Sequence, residues 1–244
     1  MAANMLTAAL TGALAPSSLL IGALLELWLR PSNHTIGLIM GFGAGALISA
    51  VAYELVEEAL SAHARVGLGL ALGALVYFGG DWLIDRRGGK NRKDIAAGDS
   101  SGSGTAIFLG TLLDGIPESL VLGMGFAMGA SVGLAFLAAV FISNLPEAMA
   151  ATPGLEAGGR TRRSILMMWL WLVVGSAVAA AVGYVIVLAV PSAEGGFAQA
   201  FAAGGVLTML ADAMMPEAFE HGGKTTGLIT VLGFAVATAF SFAG

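Results

Sequence analysis

At 244 residues, 57% of them hydrophobic and 11% charged, the chain carries less than half the ~25% charge of a soluble domain. A mean hydropathy of +0.86 places it among integral membrane proteins, and 36 glycines suit helices that pack closely in lipid. The absence of Cys excludes disulfides and thiolate metal ligands. The net charge of −5, with its basic residues confined to loops, gives no sign of a nucleic-acid partner.

A spanning helix needs ~20 mostly apolar residues. Eight segments qualify, at approximately 6–29, 36–58, 66–84, 104–128, 131–151, 165–190, 198–220 and 226–243. The first has no basic region before it, so it reads as a retained span rather than a signal peptide. The second ends in Glu54, Glu57 and Glu58, which could recruit cations at an entrance or simply be solvated. After the third comes the longest loop, 85–103, polar and rich in Gly and Ser, and expected to be flexible. Glu26 and Asp81 lie near helix ends and are expected to snorkel or cap, while His34 and His63 read as loop residues. The methionines read as packing rather than soft-metal ligands.

The fourth and fifth segments carry the chemistry. Each places a Pro-Glu pair inside its apolar run, as Leu113-Asp114-Gly115-Ile116-Pro117-Glu118 and Ile142-Ser143-Asn144-Leu145-Pro146-Glu147. Residues four apart share a helix face, so Asp114 projects with Glu118, and Ser143 with Glu147. Pro117 and Pro146 each remove a backbone hydrogen bond and free a carbonyl at similar depth. A charge at the bilayer centre costs at least ~2.5–3.5 kcal/mol, and neither segment contains a Lys or Arg counter-ion. Three such acids together need protons or a divalent cation. Asp114, Glu118 and Glu147, with Asn144 and Ser143, form the expected cation site; a proton relay, or neutral acids that stitch the bundle, are the alternatives.

Past a basic loop at Arg160, Arg162 and Arg163, the sixth segment lacks any acid in Val173-Val174-Gly175-Ser176. In the seventh, Asp212 precedes Met215-Pro216-Glu217, with Glu220 and His221 at the end. Asp212 is the stronger pathway candidate because of its depth, whereas Glu220 and His221 could equally form a wet helix terminus. Segment 42–59 aligns without gaps on 201–218, matching Phe42 to Phe201, Gly45 to Gly204, Ser49 to Thr208 and Glu58 to Glu217. With eight spans these two segments run in opposite directions, as an inverted repeat would. The expected fold is all-α: one domain, 1–244, in a 3+2+3 arrangement. It has three helices in 1–84, a cytoplasmic loop at 85–103, a central pair in 104–151 and three helices in 165–244. Arg30, the five basic residues of 85–103, Arg160, Arg162, Arg163 and Lys224 then share one side, with only Arg65 on the other. By the positive-inside rule, that side is the cytoplasm, with loops 85–103 and 152–164, and both termini lie outside.

In its eight segments, long loop and paired intramembrane Pro-Glu motifs, the chain resembles the ZIP (zinc- and iron-regulated transporter-like) family of metal transporters. The family's His-Asn-x-Pro-Glu-Gly stands here as Asp114-Gly115-Ile116-Pro117-Glu118-Ser119, and its polar-polar-x-Pro-Glu as Ser143-Asn144-Leu145-Pro146-Glu147. The resemblance implies movement of a divalent cation into the cytoplasm across the inner membrane, by an elevator-like motion in a homodimer. It also gives Glu217, Glu220 and His221 an exit path. Imidazole is replaced by carboxylate, so the family's two-metal centre reads as reduced to one all-oxygen site. That shift favours oxygen-loving ions such as Mn²⁺, Mg²⁺ or Ca²⁺; Fe²⁺ and Zn²⁺ also remain open. The metal is cargo, with no organic cofactor, and the two three-helix groups supply a wall against which the central pair moves. Nothing in the sequence points to an enzyme. The rival functions are a carrier of protons or other ions, and a ZIP-like sensor or scaffold that does not transport.

Overall fold

The computed structural model describes residues 2–61, 65–84, 86, 104–127, 134–189 and 192–243; His63 and nearly all of loop 85–103 lie outside them. The described residues are helical, without strands. In chain order they form α1 (Ala2–Leu14), α2 (Ser17–Leu29), α3 (Asn33–Ala50), α4 (Glu57–Ser61), α5 (Val66–Ile84) and α6 (Gly104–Ala127). There follow α7 (Leu134–Ala157), α8 (Arg162–Ala189), α9 (Ser192–Met209), α10 (Met215–Gly222) and α11 (Thr225–Ala243). Among the described residues, six helical stretches are long and apolar enough to cross a membrane: Asn4–Leu29, Asn33–Ser61, Val66–Ile84, Arg162–Ala189, Gly196–Gly222 and Thr225–Phe242. Helices α6 and α7 are each 24 residues, or about 36 Å at ~1.5 Å per residue, and owe part of their polarity to the Pro-Glu motifs.

Among the described residues, the expected rods are interrupted in three places. The first breaks between α1 and α2 at Pro16, which supplies no N–H to the preceding turn. Between α3 and α4 the helix widens into a π turn at Val51–Val56, and between α9 and α10 into another at Leu210–Met214. The second π turn precedes Pro216, whose missing N–H relaxes the ladder there; nothing in the sequence around Val51 marks the first. Conversely, α7 runs past the expected end at 151 and through Pro153. It stops at Gly158-Gly159, where Gly159 takes a φ of 79° and the Arg160 N–H bonds to the Leu155 carbonyl at 3.1 Å. Loop 152–164 is therefore much shorter than its expected bounds.

Packing sorts the helices into two groups. Helices α1, α2 and α8 pack on α6 and α7, while α3 packs on α10 and α11, and α5 on α9. The groups meet chiefly where α3 crosses α7 and α6 crosses α9. The first segment and α8 thus pack with the Pro-Glu helices, so each of the three-helix groups expected from sequence is divided between the two packing groups. Glycine sets the closest crossings. Gly45 leaves no room for a Cβ against the Thr230 carbonyl, nor Gly233 against Phe42; Gly204 does the same against Leu70, and Gly73 against Phe201.

The exterior is apolar, with Leu6, Leu10, Trp28, Leu75, Trp171, Leu228 and Phe242 exposed. Asp114, Glu118, Ser143, Asn144, Thr152 and Gln199 are buried. An apolar exterior, with acids, amides and hydroxyls kept inside, is consistent with a protein whose solvent is lipid.

Candidate cation site

Helix α6 carries Asp114 and Glu118, both 2% exposed. They are interior because α6 is surrounded by other helices, packing on α8, α9, α1, α7 and α5. The two carboxylates nevertheless diverge. Asp114 turns toward α5, where the buried Tyr77 hydroxyl donates a hydrogen bond to its Oδ1. Glu118 instead lines a cavity of about 10 Å³ enclosed by α2, α6, α7 and α8, room for about one water molecule. Thr111, Ser119, Asn144 and Ser176 line the same cavity, with Pro16, Leu19 and Leu172 as its apolar wall.

From α7, Asn144 reaches the cavity, whereas the Ser143 hydroxyl donates back to the Val140 carbonyl at 3.0 Å. That local bond uses the hydroxyl's proton within its own helix. Glu147 is half-buried, with Oε1 out of solvent contact. Among the described residues, no three His, Asp or Glu side chains are grouped closely enough to hold a metal ion. Of the five expected ligands, then, Glu118 and Asn144 share the cavity, Asp114 is held toward α5, Ser143 bonds back within α7, and Glu147 is half-buried on α7.

The pathway candidates separate as well. Glu54, half-buried in the first π turn, accepts a hydrogen bond from the Ser241 hydroxyl at 3.1 Å. Glu57 is exposed, and the Glu58 side chain lies outside the described residues. Asp212 sits in the second π turn but faces outward, so its depth along the helix does not bring it to the interior. Glu220 is exposed, as a wet terminus would leave it. His221 is not: its Nε2 lies 3.6 Å from Glu217 Oε1, with both side chains largely covered. His34, expected in a loop, stands in the first turn of α3 with Nδ1 3.2 Å from the His221 carbonyl.

Sequence reasoning missed three features. Tyr77 continues the buried stripe Gly69-Gly73-Tyr77 at four-residue spacing, so its inward direction was readable even though its partner was not. Ser176 stands in the acid-free stretch of α8 yet lines the Glu118 cavity. Glu26 does not snorkel; it is 8% exposed, and its Oε2 has no hydrogen-bond partner among the described residues.

No protein-family profile matches this chain, and no curated protein matches it. The chemistry of the site rests on its own residues: two buried carboxylates, an amide, several hydroxyls and a one-water cavity, on a proline-containing helix pair without a basic residue. These are donor types that suit a hard cation or a proton, although only Glu118 and Asn144 of the expected ligands line the same cavity.

Proposed function

We propose that the chain is a ZIP-like carrier that moves a divalent cation, of the Zn²⁺, Mn²⁺ or Fe²⁺ class, into the cytoplasm. The observation that carries this reading is the burial of Asp114 and Glu118, each 2% exposed, on a long helix that contains no Lys or Arg. Buried carboxylates are retained at such cost where they serve an ion pathway. With its oxygen-only donors, the site would take the cation from water through Asp114, Glu118 and Glu147, with Asn144 adding a neutral oxygen.

The proposed architecture is eight spans in an inverted 3+2+3 repeat. Its support is the pairing of equivalent contacts. The close approach of Gly45 to Thr230 has its counterpart in Gly204 and Leu70, and that of Gly233 to Phe42 in Gly73 and Phe201. The π turns begin at Val51 and Leu210, positions equivalent in the 42–59 and 201–218 alignment. Alternating access then proceeds by movement of α1, α2 and α6–α8 against α3–α5 and α9–α11, in an inner-membrane homodimer with both termini outside.

The test is uptake of a panel of divalent ions into proteoliposomes, with and without a pH gradient. Glu118→Gln and Glu147→Gln are expected to abolish uptake; wild-type rates in both would overturn the site. A second reading is favoured by the dispersal of the acids around a one-water cavity: a proton carrier without metal. It requires vesicle acidification that depends on Glu118 and proceeds in a chelator.

A further inference from the structure

The hydrogen bond from Tyr77 to Asp114 joins the two helix groups. Tyr77 belongs to α5, which packs on α9, and Asp114 to α6, which packs on α8. Both residues are 2% exposed, so the bond forms away from water, where a carboxylate without a donor is costly. The phenol gives Asp114 a neutral donor but no charge. It also accounts for the dispersal of the acids, because it holds Asp114 toward α5 while Glu118 faces the cavity on the α2 and α8 side.

We propose that Tyr77 is a positioning residue that acts as a latch on Asp114. It retains the carboxylate against α5 in the cation-free protein and must release it when a cation gathers Asp114 with Glu118 and Glu147. Site occupancy and the Tyr77–Asp114 bond thereby become alternatives: a cation satisfies Asp114 by direct coordination, and this link between α5 and α6 is lost. The inference rests on the transport reading and adds to it the group that senses whether the site is filled.

The chain has no Cys, which allows a readout independent of transport. A Cβ on Gly80 of α5 would lie 3.2 Å from Leu113 Cδ1 of α6, so Gly80→Cys with Leu113→Cys reports the contact through a short thiol-reactive cross-linker. With Tyr77 present, cross-linking is expected to be high in chelator and to fall several-fold in saturating Mn²⁺. Tyr77→Phe, which keeps the ring and removes only the hydroxyl, should lower the yield in chelator to the cation-bound level. It should also tighten Mn²⁺ binding by about tenfold, the loss of one hydrogen bond to a charged group, and so lower the half-saturating concentration for uptake. Asp114→Ala should lower cross-linking equally, and Tyr77→Phe should then add nothing. Unchanged cross-linking on adding Mn²⁺, or equal or weaker Mn²⁺ binding by Tyr77→Phe, overturns the latch while leaving the transport reading intact. If the wild-type protein binds no cation of the uptake panel, the transport reading fails, and the latch with it.

Discussion

Glu26 and Glu118 show how the same buried acid takes on different meaning from its neighbours. Glu118 faces a cavity with Asn144, Thr111, Ser119 and Ser176, so a water or cation has donors and acceptors around it. Glu26 follows Leu19 and Ala23 at helical spacing on α2, the helix whose Leu19 and Ala23 pack with Leu155, Ile165 and Trp169 of α7 and α8. The nearest charges, Arg30 and Glu156, are already engaged with each other at 3.7 Å. A buried polar atom without a partner costs ~1–3 kcal/mol, and an apolar replacement of similar size removes that cost. Glu26→Leu is therefore expected to raise unfolding stability in detergent by about 1–3 kcal/mol and leave uptake at the wild-type rate. Loss of uptake would instead place Glu26 on the ion path. Part of the residue scale was legible in sequence: depth along the helix agrees with the burial of Asp114 and Glu118 but not with the exposure of Asp212. Where each carboxylate turns was not, because the partner of Asp114 lies 37 positions away on another helix. The bond made by Ser143 was not legible either, since its hydroxyl donates to a carbonyl three residues back in its own helix.

Between helices, the glycines of α5 and α9, and of α3 and α11, set the distance. Without a hydrophobic force between helices in lipid, close backbone approach is the main source of association. A methyl group at Gly73 or Gly233 would meet a carbonyl of the facing helix, which cannot move aside as a flexible side chain would. Gly73→Ala and Gly233→Ala are each expected to lower stability by about 1–3 kcal/mol. Gly79→Ala, with nothing within 4 Å of its Cβ, should be neutral or stabilising by up to ~1 kcal/mol through helix propensity. Thermal unfolding of the three variants in one detergent decides the matter; equal effects at Gly73 and Gly79 would remove the packing argument. The existence of the helices was plain from apolar runs, but their interruptions were not. Pro16 breaks a rod while Pro117, Pro146 and Pro153 remain inside theirs. What decides is whether neighbouring helices cover the freed backbone groups, and a one-dimensional pattern holds no such information.

At the scale of the whole molecule, contacts gather one set of helix ends. Glu156, near the end of α7, lies 3.7 Å from Arg30 at the end of α2 and 3.9 Å from Arg162 at the start of α8. His34, at the start of α3, meets the His221 carbonyl near the end of α10, beside Lys224. Arg30, Arg160, Arg162, Arg163 and Lys224 thus belong to one end of the molecule, and the helical stretch from Asn33 leads to Ser61 at the other. A concentration of Arg and Lys at one end is the asymmetry that orients helices in a membrane. On the Cys-free background, Asn33→Cys, Ala157→Cys and Thr225→Cys should resist a membrane-impermeant thiol reagent in intact cells and react once the membrane is opened. Ser61→Cys should react from outside at once. All four positions are helical, and Asn33, Ala157, Thr225 and Ser61 are exposed, so a difference in labelling reports the side of the membrane rather than burial. Labelling of Ala157→Cys together with Ser61→Cys would break the even count of spans on which the opposed directions of 42–59 and 201–218 depend. The inverted repeat would fall with it, even if the cation site stood.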